Sequence, residues 1–397
     1  MVRHRRSYRI DEILKRLQKF REIHTLGKLV SEDKETAYTP SIDSENNFTY
    51  NKWTLLKLLF LFLYTPLYTS IIGSRYADMN YIDLFSGSGV NKLEDTDIVI
   101  AGSPIIALAL ARIPFNHAYF NDTDGRKICM LKKRVEKLKE LSTKNRYREV
   151  IFSNISSTSV NYRTKDANEA LVEIFEEIDE RARRLLKEKG KGCHNLIFID
   201  PFGFEFKRES LELILKAKFR SDIIILFNSY GAGLNAYNII KLGRSSKSLD
   251  NLLGTEWLDY VKQKAQEKGK SLEDLGRNEL SNMLSEYYVE LFRSHNYVVR
   301  IVRLPLRLES QQFDLIFACR RTNQGNRFLP AVDYIKNMLE KTDYRLVDEL
   351  EYSIKTGRLP GLIGYIIEDP ETALEKYKTA RRYGILKYQY PQKSRKH

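Results

Sequence analysis

Cysteine is scarce. The chain of 397 residues holds three, Cys129, Cys193 and Cys319, widely spaced and with no CxxC pair. That excludes a disulfide framework and a paired-thiolate zinc site, and it sets the expectation of a reducing, cytoplasmic compartment. The six histidines are scattered with no HExxH, and no GxSxG elbow is present, so zinc-peptidase and α/β-hydrolase chemistries find no support. The glycine pattern also stops short. Gly87 and Gly89 are not followed by a third glycine in GxGxxG, nor by the Lys-Ser/Thr of a P-loop, which disfavours pyrophosphate-cradling and nicotinamide-dependent folds. The basic N-terminus MVRHRRSYRIDEILKRLQKF runs into no apolar core, so it does not read as a secretory signal.

Long apolar runs are limited to one, Trp53 to Gly73 (WTLLKLLFLFLYTPLYTSIIG). It is nearly long enough to span a bilayer, but Lys57, Pro66 and repeated Thr and Tyr interrupt it. The expectation is a buried core helix and no membrane association. One sign of charge is in surplus: 66 Lys and Arg against 52 Asp and Glu, a formal charge of +14. Such a balance favours polyanionic partners, RNA or DNA, with a solubility charge as the plainer alternative.

What is present alternates. Apolar runs at 79–85 (MNYIDLF), 117–122 (HAYFND), 149–154 (EVIFSN), 195–200 (NLIFID) and 222–229 (DIIILFNS) read as strands. Helical patterns fall between them at 103–111, 126–141, 168–189 and 209–217. Continuous rather than alternating apolar strands imply burial on both faces, hence a doubly wound parallel α/β sheet. Two further strands, 297–306 and 312–320, pair antiparallel. Five parallel strands closed by a terminal antiparallel hairpin is the pattern of class I methyltransferases rather than of dinucleotide-binding Rossmann domains. The expected organisation is a basic helical extension over 1–48, the sheet domain over 49–343 with a helical insertion near 235–280, and a basic helical appendix over 344–397.

Four motifs sit at expected carboxyl ends of strands, where open α/β sheets bind ligands. Asp83-Leu84-Phe85-Ser86-Gly87-Ser88-Gly89, where the first strand ends and the first helix should begin, offers two glycines for close backbone approach. Asp83 is placed to meet a ligand ammonium directly or through water, and Phe85 lies beside it; a plain structural turn is the alternative. Asp122, in Phe120-Asn121-Asp122-Thr123-Asp124, is a candidate for the hydroxyls of a ribose, with Asp124 as the helix cap. Ser153-Asn154 is a weaker candidate for an adenine edge, a turn residue being the alternative. In Asp200-Pro201-Phe202-Gly203 the carboxylate and the next carbonyl can accept hydrogen bonds from an exocyclic amine while the aromatic stacks on its ring; the plainer reading is a strand-ending turn. Asn228, Ser229, Tyr230 and Gly231 are placed to line the same cleft. Ser103 reads as a helix N-cap with Pro104 at the first helical position. No metal site is expected.

Taken in order, YIDLFSGSG, AGSPIIALALA, YFNDTD, IFIDPFGF, LLGTEW and FDLIFACR, with the apolar helix beginning at KW, resemble the three-Cys-motif partner (TcmP) family over roughly Asn51 to Glu340. That family is a methyltransferase-related branch of the Rossmann-like superfamily, named for its association with a separate three-Cys-motif protein. DLFSGSG and AGSP are also similar to large-subunit ribosomal RNA adenine methyltransferases. There the fourth motif reads Asp-Pro-Pro-Tyr; the form found here is more like that of tRNA guanine dimethyltransferases, which leaves the target base open. The resemblance implies S-adenosylmethionine (SAM) as cofactor, held by Asp83, Phe85, Gly87, Gly89, Asp122 and Asn154. It implies methyl transfer to a nucleic-acid amine around Asp200, Pro201 and Phe202, or a partner-dependent, non-catalytic SAM-binding role beside a three-Cys-motif protein.

Overall fold

The computed structural model describes residues 19–20, 22–31, 49–50, 54–93, 98–305, 312–322, 326 and 328–341. The expected C-terminal appendix, and nearly all of the helical pattern over Ile10 to Phe20, lie outside them.

Seven strands make one sheet: β2 (Asp78–Asp83), β5 (His117–Asn121), β6 (Ser159–Arg163), β7 (Cys193–Ile199), β8 (Arg220–Phe227), β9 (Tyr297–Pro305) and β10 (Gln312–Arg320). Their order is β6-β5-β2-β7-β8-β10-β9. The first five run parallel, and β10 runs antiparallel to both β8 and β9. This is the class I methyltransferase-like order, five parallel strands and a C-terminal antiparallel hairpin. The central strands are buried along their whole length, DMNYID in β2 and CHNLIFI in β7, because helices cover both faces.

Two cores result. One face packs against α1 (Glu22–Ser31), α2 (Thr54–Ile72), α3 (Ser103–Leu110), α4 (Gly125–Ser142) and α11 (Leu329–Lys341). The other packs against α5 (Ala167–Lys189), α6 (Arg208–Lys216) and the insertion, α7 (Ser229–Leu242), α8 (Lys247–Leu253), α9 (Trp257–Glu267) and α10 (Arg277–Ser294). Helix α2 alone is long and apolar enough to cross a membrane among the described residues, and it is buried around most of its circumference inside the protein. A helix apolar on all sides belongs in a core of this kind.

Three expectations need correction. The third parallel strand is SVNYR (Ser159–Arg163), not EVIFSN. Residues 149–154 instead run irregularly beside α3: the Phe152 amide donates to Ala109 O (2.8 Å) and the Ser153 hydroxyl to Ala111 O (2.7 Å). Their apolar side chains fill the core from a loop, with Ile151 fully buried. Second, the glycine loop does not lead directly into a helix. A hairpin, β3 (Val90–Leu93) and β4 (Val99–Ala101), intervenes, with the short β1 (Thr49–Tyr50) parallel to β3. Helix α1 packs on this hairpin so closely that a Cβ on Gly27 would lie 2.7 Å from the Ile100 carbonyl carbon. Third, Ser103 does not cap α3. Gly102 is the N-cap residue, Pro104 follows at the helix start, and the Ser103 hydroxyl bonds Asp83.

Candidate functional site

The chain winds from β2 outward through β5 to β6, then returns to β7 on the other flank of β2. The carboxyl ends of β2 and β7 therefore border the switch point, where sheets of this kind leave a crevice. Asp83 ends β2 opposite Phe198 of β7, and Asp200 follows β7 directly.

The glycine loop is built here. Gly87 (φ 58°) and Gly89 (φ 78°) are both left-handed, a conformation other residues adopt only under strain. A Cβ on Gly89 would lie 2.6 Å from Leu131 Cδ1. The Gly102 amide donates to Gly89 O (2.8 Å), so the GSG and AGSP motifs form one interlocked turn. The Ser86 amide and hydroxyl both donate to Asn121 O (2.8 and 3.0 Å). Buried Arg134 donates to Ser88 O and Oγ (both 2.8 Å).

Asp122, just past β5, accepts from the Gly87 amide (3.1 Å) and the Asp124 amide (2.9 Å), with Lys127 Nζ at 3.6 Å. Two amides take up part of its acceptor capacity, and the side chain keeps 11% of its surface exposed. A carboxylate has about four lone-pair positions, so capacity for ribose hydroxyls remains. Asp124 is the N-cap of α4, accepting from the Arg126 amide (2.9 Å), as expected.

Asp83 has no exposed surface. It accepts from the Tyr81 hydroxyl (3.1 Å), the Phe85 amide (3.3 Å) and Ser103. Burial pushes its carboxyl up to about 7; those hydrogen bonds oppose the rise and the nearby Asp200 charge adds to it. In this arrangement Asp83 holds the loop from inside, and Phe85 and Gly87 are its half-buried residues beside it.

Asp200 is paired with Lys57 of α2. The lysine side chain is 6% exposed and the Asp200 carboxylate 18%. This pairing is what the sequence reading missed: Lys57 appeared there only as an interruption in an apolar run. A cation in such a run has to find a counter-charge, and that was the available signal. Beyond half-buried Pro201, Phe202 is 97% exposed, by far the most exposed large apolar side chain among the described residues. Its amide meets Glu205 Oε2 at 3.4 Å, and its ring projects into solvent.

Asn154 is not brought to this crevice. Its Oδ1 lies 3.4 Å from Ser142 Oγ, at the far end of α4, and accepts from the Ser156 amide (3.0 Å). Since α4 starts at the carboxyl edge of the sheet and runs away from it, Asn154 sits near the opposite edge. Asn228 caps α7 by accepting from the Gly231 amide (2.8 Å), beyond β8; buried Ser229 and half-buried Tyr230 follow it. No cluster of three or more His, Cys, Asp or Glu able to hold a metal occurs among the described residues. A separate open cavity of about 580 Å³ lies between α7 and α10, lined by Tyr237, Gly276, Arg277, Asn278 and Glu279. Its carboxylate is engaged with the Gly276 amide (3.1 Å) and Lys270 (2.7 Å).

The left-handed glycine turn, the partly exposed Asp122 carboxylate and Asp200 with the exposed Phe202 ring thus all follow carboxyl ends of the parallel strands. A sheet of this order is compatible with SAM binding. No family model matches the chain, and no curated protein matches it. Among solved structures, the chain is similar to protein LPL1258 from Legionella pneumophila, assigned to family DUF519. The identity is 14%, covering 73% of this chain and 91% of that one, with a TM-score of 0.39.

Proposed function

We propose that this protein is a SAM-dependent methyltransferase acting on an exocyclic amino group of a nucleic-acid base. The observation that carries the reading is the pairing of Asp200 with the solvent-projecting ring of Phe202 at the switch point, next to the glycine turn. Gly87, Gly89 and Asp122 would hold the cofactor, which when bound supplies an electrophilic methyl group. Phe202 stacks on a base presented from solvent, and Asp200 with the Pro201 carbonyl accepts hydrogen bonds from its amine. Catalysis then rests mainly on proximity and orientation. The surplus of basic residues supports a polyanionic substrate.

A second reading has one observation in its favour. Lys57 is bonded to one oxygen of Asp200, so its ammonium competes with an incoming amine for that carboxylate. That fits a chain that becomes competent, or serves as a SAM-binding subunit, only with a protein partner such as a three-Cys-motif protein. The test is transfer of radiolabelled methyl groups from SAM to bulk RNA and DNA. Transfer by the chain alone, abolished in Asp200→Ala with cofactor binding retained, supports the enzyme. Unchanged turnover in that variant refutes the role of Asp200, and transfer only after addition of a partner supports the second reading.

A further inference from the structure

Helix α5 carries its charges in two blocks. From Ala167 to Glu180 they are Glu169, Glu173, Glu176, Glu177, Asp179 and Glu180, all acidic. From Arg181 to Lys189 they are Arg181, Arg183, Arg184, Lys187, Glu188 and Lys189, basic but for one. Helices α4 and α9 instead mix the two signs within single turns, through Lys137–Glu140, Lys139–Glu136, Lys262–Asp259 and Lys264–Glu267. The macrodipole favours acids in a first turn and bases in a last one, but it fades beyond them, and both blocks reach well inside the helix. Packing decides which face looks out. Leu171, Ile174, Phe175 and Ile178 are buried, and no residue of α5 after Ile178 is. Arg181 turns inward, donating to Asp78 (2.7 Å), Tyr119 (3.0 Å) and Asn80 (3.1 Å). Glu173 and Glu177 turn to Arg163 of β6. What remains outward is Glu169, Val172, Glu176, Glu180, Arg183 and Lys187, all exposed and three or four residues apart, which is one helix face. Val172 (45% exposed) and, at the border, Leu186 (60%) give this face apolar surface to bury.

We infer that this face docks a second copy of the chain, with the two α5 helices antiparallel. A face whose halves carry opposite charge complements itself only when turned end for end, which is the two-fold geometry of an isologous dimer. Parallel alignment would set like blocks against each other. One antiparallel register serves both halves: Glu180 lies opposite Arg183 of the second copy, and Glu176 opposite its Lys187. Each pair occurs twice about the axis, and Glu176 and Lys187 stand about 16 Å apart along the helix. Arg183 is bonded to Asp179 of its own helix, but a guanidinium has five N–H donors and can serve a second carboxylate. Exposed ion pairs are individually weak, so the dimer is reversible and salt-sensitive. The inference goes beyond the proposed function and needs neither cofactor nor nucleic acid.

The experiment is sedimentation equilibrium of the full chain at up to about 100 μM, in about 0.1 M and about 1 M KCl, where the Debye lengths are about 10 and 3 Å. The lower salt screens the overall charge of +14 while leaving facing pairs intact. Wild type should rise above the mass of one chain at the lower salt and return to it at the higher. Two variants reverse one half of the face each: Glu176→Lys/Glu180→Lys makes it wholly basic, and Arg183→Glu/Lys187→Glu makes it wholly acidic. Either alone should weaken self-association by about tenfold or more. The acidic variant is the sharper of the two, because it lowers the net charge of the chain and general repulsion alone would predict stronger association. An equimolar mixture of the two should associate at least as tightly as wild type, since each face then meets its complement. Thermal midpoints near wild type show that both variants are folded. A wild type that stays monomeric at the lower salt, an acidic variant that associates as wild type does, or a mixture of folded variants that does not associate overturns the inference.

Discussion

Breaking the Lys57–Asp200 pair from each side, and then from both, should reveal a coupling of about 2 kcal/mol. The magnitude follows from burial. Exposed ion pairs couple by about 0–1 kcal/mol, whereas removing one member of a fully buried pair costs about 3–5. Lys57 is 6% exposed and Asp200 18%, which places the pair between those limits. The two single substitutions should differ. Asp200→Ala takes a carboxylate partner from the more deeply buried charge and should cost about 3 kcal/mol, while Lys57→Met keeps the apolar stem and leaves a carboxylate that water still reaches, for about 1.5. The double variant should cost about 2.5, less than the sum. Urea unfolding at pH 7.5 measures all four chains, and thermal midpoints should shift by about 2–4 °C per kcal/mol for a domain of this size. Costs that add to within about 0.5 kcal/mol would refute the claim that α2 is fastened to the Asp200 loop by this pair.

Three further outcomes follow from the same geometry. Gly89→Ala meets both a left-handed backbone and Leu131, so it should lose about 1–2 kcal/mol of stability and at least tenfold in SAM affinity by calorimetry; near-normal affinity would contradict the glycine-turn reading. Phe202→Ala should leave stability within about 0.5 kcal/mol while transfer drops by a factor of roughly 5 to 150, the worth of one base stack; a marked loss of thermal stability would mean that the ring has a packing role. The third concerns Asp222, a fully buried carboxyl that accepts from Tyr64 (2.6 Å), where burial pushes the pKa up to about 7. A folded pKa above the unfolded one means that this group's contribution is whole below about pH 4 and declines as pH rises to 7. Asp222→Asn should therefore gain stability relative to wild type on going from pH 4 to pH 8, by on the order of 2–4 kcal/mol. His194 nearby, lowered to about 3 chiefly by burial, works in the opposite sense but is common to both chains. A wild-type-to-variant difference that is the same at pH 4 and pH 8 would rule this out.

The parts of the fold legible in the sequence are those where burial on both faces writes an unbroken apolar run: β2, β5, β7 and β8. The edge strand β6 (SVNYR) has one polar neighbourhood and no such run, whereas EVIFSN has the run but spends it in a loop against α3. The apolar criterion therefore chose the segment that fills the core over the one that extends the sheet. The β3–β4 hairpin, at four and three residues, is too short for any periodicity. The position of the GSG turn, Asp122, Asp124 and Asp200 just past strand ends was legible because the apolar runs before them mark where β2, β5 and β7 stop. Lys57 was not, because its partner lies 143 positions away, and Ser103 was read as a cap because local geometry alone cannot announce a bond to Asp83. Asn154 followed the misplaced third strand to the wrong edge.

The account's central claim, a SAM site on the glycine turn, is tested most directly by calorimetric titration of the folded chain with SAM, alongside Asp122→Ala. The account predicts micromolar binding that Asp122→Ala weakens by tenfold or more, through loss of both the ribose acceptor and the anchor of the Gly87 amide. Absence of binding to folded wild-type protein, or equal binding by the variant, would contradict it.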